Sequence, residues 1–525
     1  MKICLIEPPR LVSLSNPVST IAMPPIGLAY IAGALEAAGH DLCVVNAISA
    51  APETFYSFGR MHVRGLTPTE TAERIPADVD MIGLGLLFSS NWPLVRTLIN
   101  AVKERFPGRP FVLGGEHASG LPELSLNQSK ADALVIGEGE ETAVALASAW
   151  SAGRSIEDIS GVAFRRATST GSEVIVSPRR DRRRAIDDIP MPAWHLFDLE
   201  TYIKMNQPHG ASRGRFMPML ATRGCPFQCT FCTNPQMWTQ LWLARDPKLV
   251  VDEMEFYQAR YGTVDFQFED LTAIVRKDWM LAFCDEIIRR KLQLSFQLPS
   301  GTRSEAVDAN VARQMKAAGC HEFSFAPESG DPRVLKAIKK QVNLERMYQS
   351  ASEAMSAGIN VGCFFILGLP EDDYLSIFRT HRAAAKCAWM GFAAVNFSAY
   401  SPQPDTESFR KLQKEGLIPT IDDAYLLSLF EYQDFGALKK SYNPKFSNFQ
   451  LTVFIWIGFL VFYSVYFVRR PQRVVHLIID VATRRGRNKT TKIANNLVRD
   501  AWRMLRRRPV PKVVVTPQRG PDTDH

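Results

Sequence analysis

Two successive series of short, almost continuously apolar runs, each followed by a helical pattern, fill the first 410 residues and constrain the fold more than any other feature. In the first series the runs are "KICLIEPP", "DLCVVNA", "MIGLGLLFSS", "PFVLGGEHA" and "ADALVIGEGE". The segments between them include "PPIGLAYIAGALEAAGH" and the amphipathic "WPLVRTLINAVKERFPG". Strands that are apolar on both faces and joined through helices form a parallel sheet covered on both sides. Residues 1–145 are therefore predicted to form a Rossmann-like, flavodoxin-like α/β domain. Ligands of such sheets sit beyond the carboxyl ends of the strands. Those ends carry Pro8-Pro9, Ser89-Ser90, Gly114-Gly115 and Gly137-Glu138-Gly139. One such end is an ordinary turn; four together point to a set of ligand loops.

Residues 146–215 read as a linker with a hairpin-like piece, a basic run at Arg179–Arg184 expected to be a solvated loop, and a Pro-rich connector. The second series starts near Phe216 with "FMPMLATR", "VDFQFED", "LQLSFQLPS", "HEFSFAPES", "NVGCFFILG" and "FAAVNFSAYSP". Six βα units in a row predict a partial (β/α)6 TIM-like barrel over 216–410, with its site on the carboxyl-end loops.

From 411 to 525 the pattern becomes that of an α-helical C-terminal region. Phe446–Val468 is 23 residues without a charge, long enough for a membrane, with a buried core helix as the alternative. Lys439, Lys440 and Lys445 flank one end, and Arg469, Arg470 and Arg473 the other. Both ends thus prefer the same side of a bilayer, and the expectation is a monotopic or re-entrant segment rather than a span. Net charge is divided unevenly. Residues 469–525 carry 15 Lys and Arg against 4 Asp and Glu, hence +11, while the whole chain is +8 and the body therefore −3. In the tail Ile493, Leu497, Ala501 and Leu505 recur every fourth position beside Arg499, Arg503 and Arg506, the pattern of a basic amphipathic helix. A peripheral contact with the cytoplasmic face of a membrane is expected. No DNA-recognition motif accompanies the basic tail, so nucleic acid is not expected as a partner.

The nine cysteines are odd in number, and six are scattered singly. Met1-Lys2 leads straight into a strand-like run with no signal peptide. A reducing cytoplasm fits both facts better than a disulfide scaffold. The other three, Cys225, Cys229 and Cys232, follow the first barrel strand as C-x3-C-x2-C. Structural zinc takes four closed ligands, typically as two pairs, and there is no second pair. Three thiolates can instead hold three irons of a 4Fe–4S cluster, leaving the fourth iron open to a ligand with N and O donors.

That motif, placed after the first strand of a βα barrel and with Phe231 before its last cysteine, resembles the radical S-adenosylmethionine (SAM) superfamily. The resemblance implies that SAM binds the open iron and is cleaved to a 5′-deoxyadenosyl radical by one electron, supplied by a donor such as flavodoxin or ferredoxin. Further stretches match the family: "FQFED" with Glu269 and Asp270, "SGTR" with Arg303, "APESGDPRVLKAIKK" with Glu328 and Ser329, and "FFILGLPED" with Gly368. The resemblance implies SAM contacts at Phe231, Asp270, Arg303, Glu328, Ser329 and Gly368. One departure is Pro404-Asp405-Thr406, where relatives often have P-G-T.

The first domain resembles the cobalamin-binding domain fused to one radical SAM subgroup, on "PPIGLAYIAGALEAAGHDLCVVNA", "GLGLLFSS", "VLGGEHASGLPE" and "VIGEGEET". The connector "DDIPMPAWHLFDLETY" is similar to the same subgroup. Cobalamin contacts are implied at Ser89, Gly114, Gly115, Gly137 and Glu138. The loop "EPPRLV" lacks the histidine of D-x-H-x-x-G, so a lower ligand from that motif is excluded. His117 is expected to be a packing or polar-contact residue. The implied reaction is methylation of an unactivated carbon in a small-molecule or lipid-like substrate. The alternative is an oxidative cyclisation similar to that of anaerobic magnesium-protoporphyrin ester cyclase. No side chain is singled out as a catalytic residue. A methylthiotransferase would need three cysteines in the first domain, where only Cys4 and Cys43 occur.

Overall fold

The structure, a computed structural model, describes residues 1–13, 21–169, 171–430, 436–483, 486 and 488–506. It is a mixed α/β chain with two parallel sheets and a helical C-terminal region. The first sheet is built on β1 (Lys2–Glu7), β2 (Asp41–Asn46), β3 (Met81–Gly85), β4 (Phe111–Gly114) and β5 (Ala133–Val135). These five are parallel in the order β2-β1-β3-β4-β5. Their direction of winding reverses between β1 and β3, which opens a crevice at the carboxyl ends of those strands. Ile3, Leu5, Ile6, Ile82, Phe111 and Leu134 are fully or almost fully buried, as runs apolar on both faces require.

The sheet does not stop at residue 145. β6 (Val162–Thr168) pairs antiparallel with β5, and β7 (Gly171–Val176) with β6. The start of the expected linker is thus a sheet edge, held because Val162, Ala163 and Phe164 are buried against it. The connector that follows is also packed. The Ala193 amide donates to the Ala29 carbonyl at 2.9 Å, and the Trp194 indole N–H donates to the Tyr257 hydroxyl at 3.1 Å. One buried apolar cluster consequently runs from Ile3 and Leu35 through Trp194 to Met217 and Phe266.

The second sheet comprises β8 (Phe216–Met219), β9 (Asp265–Phe268), β10 (Ser295–Thr302), β11 (Cys320–Glu328), β12 (Asn360–Leu367) and β13 (Ala394–Ala399), all parallel and in chain order. The register of β10 against β11 shifts between Leu298 and Gly301, and that of β11 against β12 between Phe325 and Glu328. Such irregularities re-aim side chains beside active sites, and both fall toward the carboxyl ends.

The apolar Asn448–Arg469 helix begins at a capping box formed by Ser447 and Gln450. It buries Leu451, Ile455, Gly458, Phe462 and Tyr466, a single stripe at helical spacing. Leu451 covers Gly368, and Gly458 approaches the Phe397 ring of β13. The His381 ring Nε2 lies 2.9 Å from the Phe454 carbonyl. The re-entrant arrangement is therefore corrected: the helix is long and apolar enough to cross a membrane, but one face packs against β13 and the Tyr374–Met390 helix. Lys439 is also buried, so it is not a headgroup-facing flank. The backbone continues as a helix from Lys489 to Arg506. The side chains of Arg499, Ala501, Arg503, Leu505 and Arg506, on which half of the expected basic face rests, lie outside the described residues.

Candidate functional site

The cysteine loop leaves β8 through Thr222 and Arg223, which pair antiparallel with Leu243 and Ala244. Gly224 follows with φ +83°, and a Cβ there would stand 2.3 Å from the Leu241 carbonyl oxygen, so only glycine turns the chain into the loop. Asp270, just past β9, fastens the loop from below. Its carboxylate accepts the Ala221 amide at 3.1 Å, the Thr222 amide, and the Thr222 hydroxyl at 2.6 Å. Those bonds use the group to hold the loop root.

Burial pushes the Asp270 carboxyl up to about 6 from a free value of 3.8, against the opposing pull of its donors. A raised carboxyl favours folding fully below the free value and loses that contribution as pH rises through the folded one. Asp270→Asn is expected to flatten this loss between about pH 4 and pH 6 in denaturant titrations. Because its amide then faces a backbone N–H, the variant should also be less stable at neutral pH by about 1–3 kcal/mol.

Cys225, Cys229 and Cys232 are all partly exposed, and all nine cysteines are free thiols. Burial raises the three loop thiols, that of Cys232 to about 12. Opposing it are the Asn234 amide, 3.5 Å from Cys232 Sγ, and the cations Lys340 and Arg303 near Cys225 and Cys229. Among the described residues no three His, Cys, Asp or Glu side chains converge on a single-ion position. The donor set fits a 4Fe–4S cluster, which takes one thiolate on each of three irons, and not one tetrahedral ion.

Three of the six expected SAM-side residues stand at this loop. The Arg303 guanidinium lies over the Phe227 ring, 3.9 Å from its centroid, and pairs with Glu305 at 3.1 Å. Glu328 ends β11 with φ +67°, a strained conformation for a non-glycine residue, and its carboxylate accepts from Lys340 at 2.9 Å. Phe231 packs at the edge of the apolar cluster that contains Leu335 and Ile338. The other three are used inside the fold. Asp270 anchors the loop. Ser329, fully buried, accepts the Asp331 amide at 3.1 Å and meets the Thr380 hydroxyl at 3.3 Å. Gly368 donates its amide to Asp372 and lies beneath Leu451. Lys340 was missed by sequence reasoning, although the two lysines closing "APESGDPRVLKAIKK" were the available signal.

The carboxyl-end loops of the first sheet face the cysteine loop. Ser89 Oγ lies 2.9 Å from His117 Nδ1, and the His117 ring stacks on Trp92 at 4.7 Å. Burial drives His117 down to about 3, so the ring is neutral, and its Nε2 makes no hydrogen bond. It is a packed, polar-contact histidine, as expected. Gly115 passes so close to the Leu86 carbonyl that a Cβ would stand 2.5 Å from its oxygen. Gly114 lies against Val135. The Gly137 amide donates to Ser119 Oγ at 2.9 Å, and the space where its Cβ would project is open.

Glu138 has a further task. Its carboxylate pairs with Arg182 at 3.1 Å and with Arg223 at 3.2 Å. Arg182 belongs to the basic run expected to be solvated, yet its side chain is buried and also donates to the Trp238 and Leu241 carbonyls. Glu116, beside His117, accepts from the Thr233 hydroxyl, one residue after Cys232. The ligand loops of the two sheets therefore touch. The glycine loops, the open space at Gly137 and the unbonded His117 nitrogen fit a large cofactor between them.

Comparison with known proteins agrees with this division. The radical SAM superfamily model matches residues 219–382, and the B12 binding domain model matches residues 18–147. An uncharacterized methyltransferase, PH0819, of Pyrococcus horikoshii is 26% identical over 80% of this chain and 85% of its own. Cytidylyl-2-hydroxyethylphosphonate methyltransferase of Streptomyces wedmorensis is 27% identical over 81% and 86%. The anaerobic magnesium-protoporphyrin IX monomethyl ester cyclase of Rubrivivax gelatinosus is 26% identical over 74% and 66%. Among solved structures, the radical SAM methyltransferase TsrM from Kitasatospora setae, with cobalamin and a [4Fe-4S] cluster bound, matches with a TM-score of 0.64 at 16% identity over 88% of each chain. At that identity the likeness speaks for the fold. The chain carries a radical SAM domain and, before it in the sequence, a B12-binding domain. The two domains imply a 4Fe–4S cluster, SAM and cobalamin as cofactors.

Proposed function

We propose that this enzyme methylates an unactivated carbon of a small-molecule substrate of lipid-like or natural-product character, held between its two sheets. The observation that carries the reading is the contact of Glu116 with Thr233, which joins the cobalamin-side loops to the cysteine loop. When bound, the cluster and SAM supply a carbon-centred radical, and cobalamin supplies the methyl group. In this reading residues 1–176 form the Rossmann-like, flavodoxin-like cobalamin domain. Residues 216–410 form a partial (β/α)6 barrel. Cys225, Cys229 and Cys232 hold the cluster. Arg303 and Glu328 bind the charged groups of SAM, Lys340 holds the Glu328 carboxylate in place by its ion pair, and Phe231 walls the cluster. Ser89, Gly114, Gly115, Gly137 and the backbone of Glu138 line the cobalamin. A flavodoxin or ferredoxin delivers the electron. The enzyme works in the cytoplasm, at the membrane face, where a lipid-like substrate resides.

The test is anaerobic reconstitution with iron, sulfide and cobalamin, followed by incubation with methyl-labelled SAM and a reductant. The expected result is 5′-deoxyadenosine together with label on the bound cobalamin. Similarity to the Rubrivivax gelatinosus cyclase favours a second reading, oxidative ring formation. A protein that cleaves SAM but never labels cobalamin would support that reading and end the methyl-transfer one.

A further inference from the structure

The Asn448–Arg469 helix packs one stripe on the barrel and turns the opposite one outward. Phe449 and Leu460 each keep 67% of their surface exposed, and Val468 keeps 81%. The outward row does not stand alone. Phe378 and Trp389 on the Tyr374–Met390 helix are 62% and 61% exposed. The two helices run side by side in the same direction. Near their starts the Gln450 amide donates to the Tyr374 hydroxyl at 3.1 Å. At their ends Arg470 donates to the Met390 carbonyl at 3.1 Å, and the Arg469 guanidinium sits 4.9 Å from the Trp389 ring centroid. The Gln472–Ala482 helix then adds Val475 and Ile478, at 56% and 63% exposure. Exposed apolar surface spread over three adjoining helices marks an interaction face.

We propose that this face docks flat on an anionic lipid bilayer, sinking its outward side chains to the headgroup boundary while the buried stripe stays on the barrel. Charge selects this occupant. The face ends at Arg469, and from there the chain carries +11 against −3 for everything before it. Cationic charge at the edge of an apolar helical face is the combination that binds anionic membranes. A pairing of two copies would instead set two Arg469 groups at one interface and join two chains that each carry +11 over residues 469–525, and like charges oppose it. Trp389 beneath Arg469 suits the boundary between headgroups and acyl chains, where an amphipathic ring finds both environments. The inference deepens the membrane-side placement of the proposed function and does not depend on its chemistry.

The experiment is co-sedimentation of the full, cofactor-loaded chain with phosphatidylcholine vesicles and with vesicles of mixed phosphatidylcholine and phosphatidylglycerol. Binding is expected to the mixed vesicles at low salt, and to weaken as salt rises. Phe449→Ser combined with Leu460→Ser should reduce it about tenfold or more, given the apolar area removed, with SAM cleavage unchanged. Leu417→Ser, at an exposed leucine outside this face, should bind as the parent does. Three results would each overturn the inference: no binding to either vesicle, equal binding by the double variant, or a dimer in solution that the double variant breaks. SAM cleavage in the same samples separates loss of docking from failure of the cofactor reading.

Discussion

Replacing any one of Cys225, Cys229 or Cys232 by alanine is expected to abolish the iron–sulfur absorbance and bring SAM cleavage down to the uncatalysed background. In the proposed cluster each thiolate would serve a separate iron, so the three single variants should be equally inactive, and the triple variant no worse than any of them. Non-additivity of that kind identifies residues that act as one unit. The fold should survive. Burial disfavours ionisation of all three thiols, so without metal they are neutral groups, and their removal leaves no buried charge behind. The loop keeps its other fastenings, to Asp270 at one end and through the Thr230 amide to the Ile338 carbonyl at 3.1 Å. Cobalamin binding should persist, because the proposed contacts at Ser89, Gly114, Gly115 and Gly137 stand on the other sheet and its loops. Metal analysis and visible spectra of the anaerobically reconstituted variants provide the measurement. A single variant that still cleaves SAM, or wild-type protein that takes up one zinc per chain in place of iron, would refute the cluster assignment.

The parts legible in sequence were those written in local pattern. Apolar runs separated by helices defined all eleven parallel strands, because a strand buried on both faces has no alternative composition. The cysteine spacing located the loop. What escaped depends on which side chains meet across the fold. Asp270, Ser329 and Gly368 sit beside the expected site, but a hydrogen bond to the Ala221 amide, a turn at Asp331 or a leucine from a distant helix decides which way each faces. Arg182 looked like one of several loop arginines, and its burial is explained by distant partners, the carboxylate of Glu138, 44 positions away in the chain, and the Trp238 and Leu241 carbonyls. Val162–Thr168 falls in the stretch read as a linker from its hairpin-like piece, basic run and Pro-rich connector; its pairing with Ala133–Val135 is a non-local fact. The apolar C-terminal segment was ambiguous for a related reason. A helix with one stripe on protein and the other outward has the same composition as one surrounded by lipid.

Arg223 carries the second large expected effect. It sits between the strand that feeds the cysteine loop and the helix that follows the Gly137 loop. Its side chain is only 7% exposed and pairs with Glu140 at 2.6 Å and Glu138 at 3.2 Å. Its guanidinium also lies 5.1 Å from the Tyr30 ring centroid. The pairing holds the Glu140 carboxyl below its ordinary value even though burial pushes the other way, so Glu140 is ionised in the folded chain. Its contribution to stability is present above the free carboxyl value and disappears as pH falls through the folded one. Arg223→Met keeps most of the volume and removes the cation, leaving buried carboxylate without compensation; the expected loss is about 3–5 kcal/mol. The sign of the pH dependence should invert, because Glu140 would then be raised, and the variant would lose stability as pH rises toward neutral. Arg223→Met with Glu140→Gln should recover a large part of the loss, since both members of the pair are then uncharged. Arg223→Lys should recover less, because an ammonium cannot reach both carboxylates as the guanidinium fork does. In the reconstituted enzyme Arg223→Met is expected to separate two steps: radical generation at the cysteine loop continues, while labelling of cobalamin from SAM falls. Equal loss of both activities, or a double variant no more stable than Arg223→Met in urea titrations, would mean that Arg223 does not join the two sheets electrostatically.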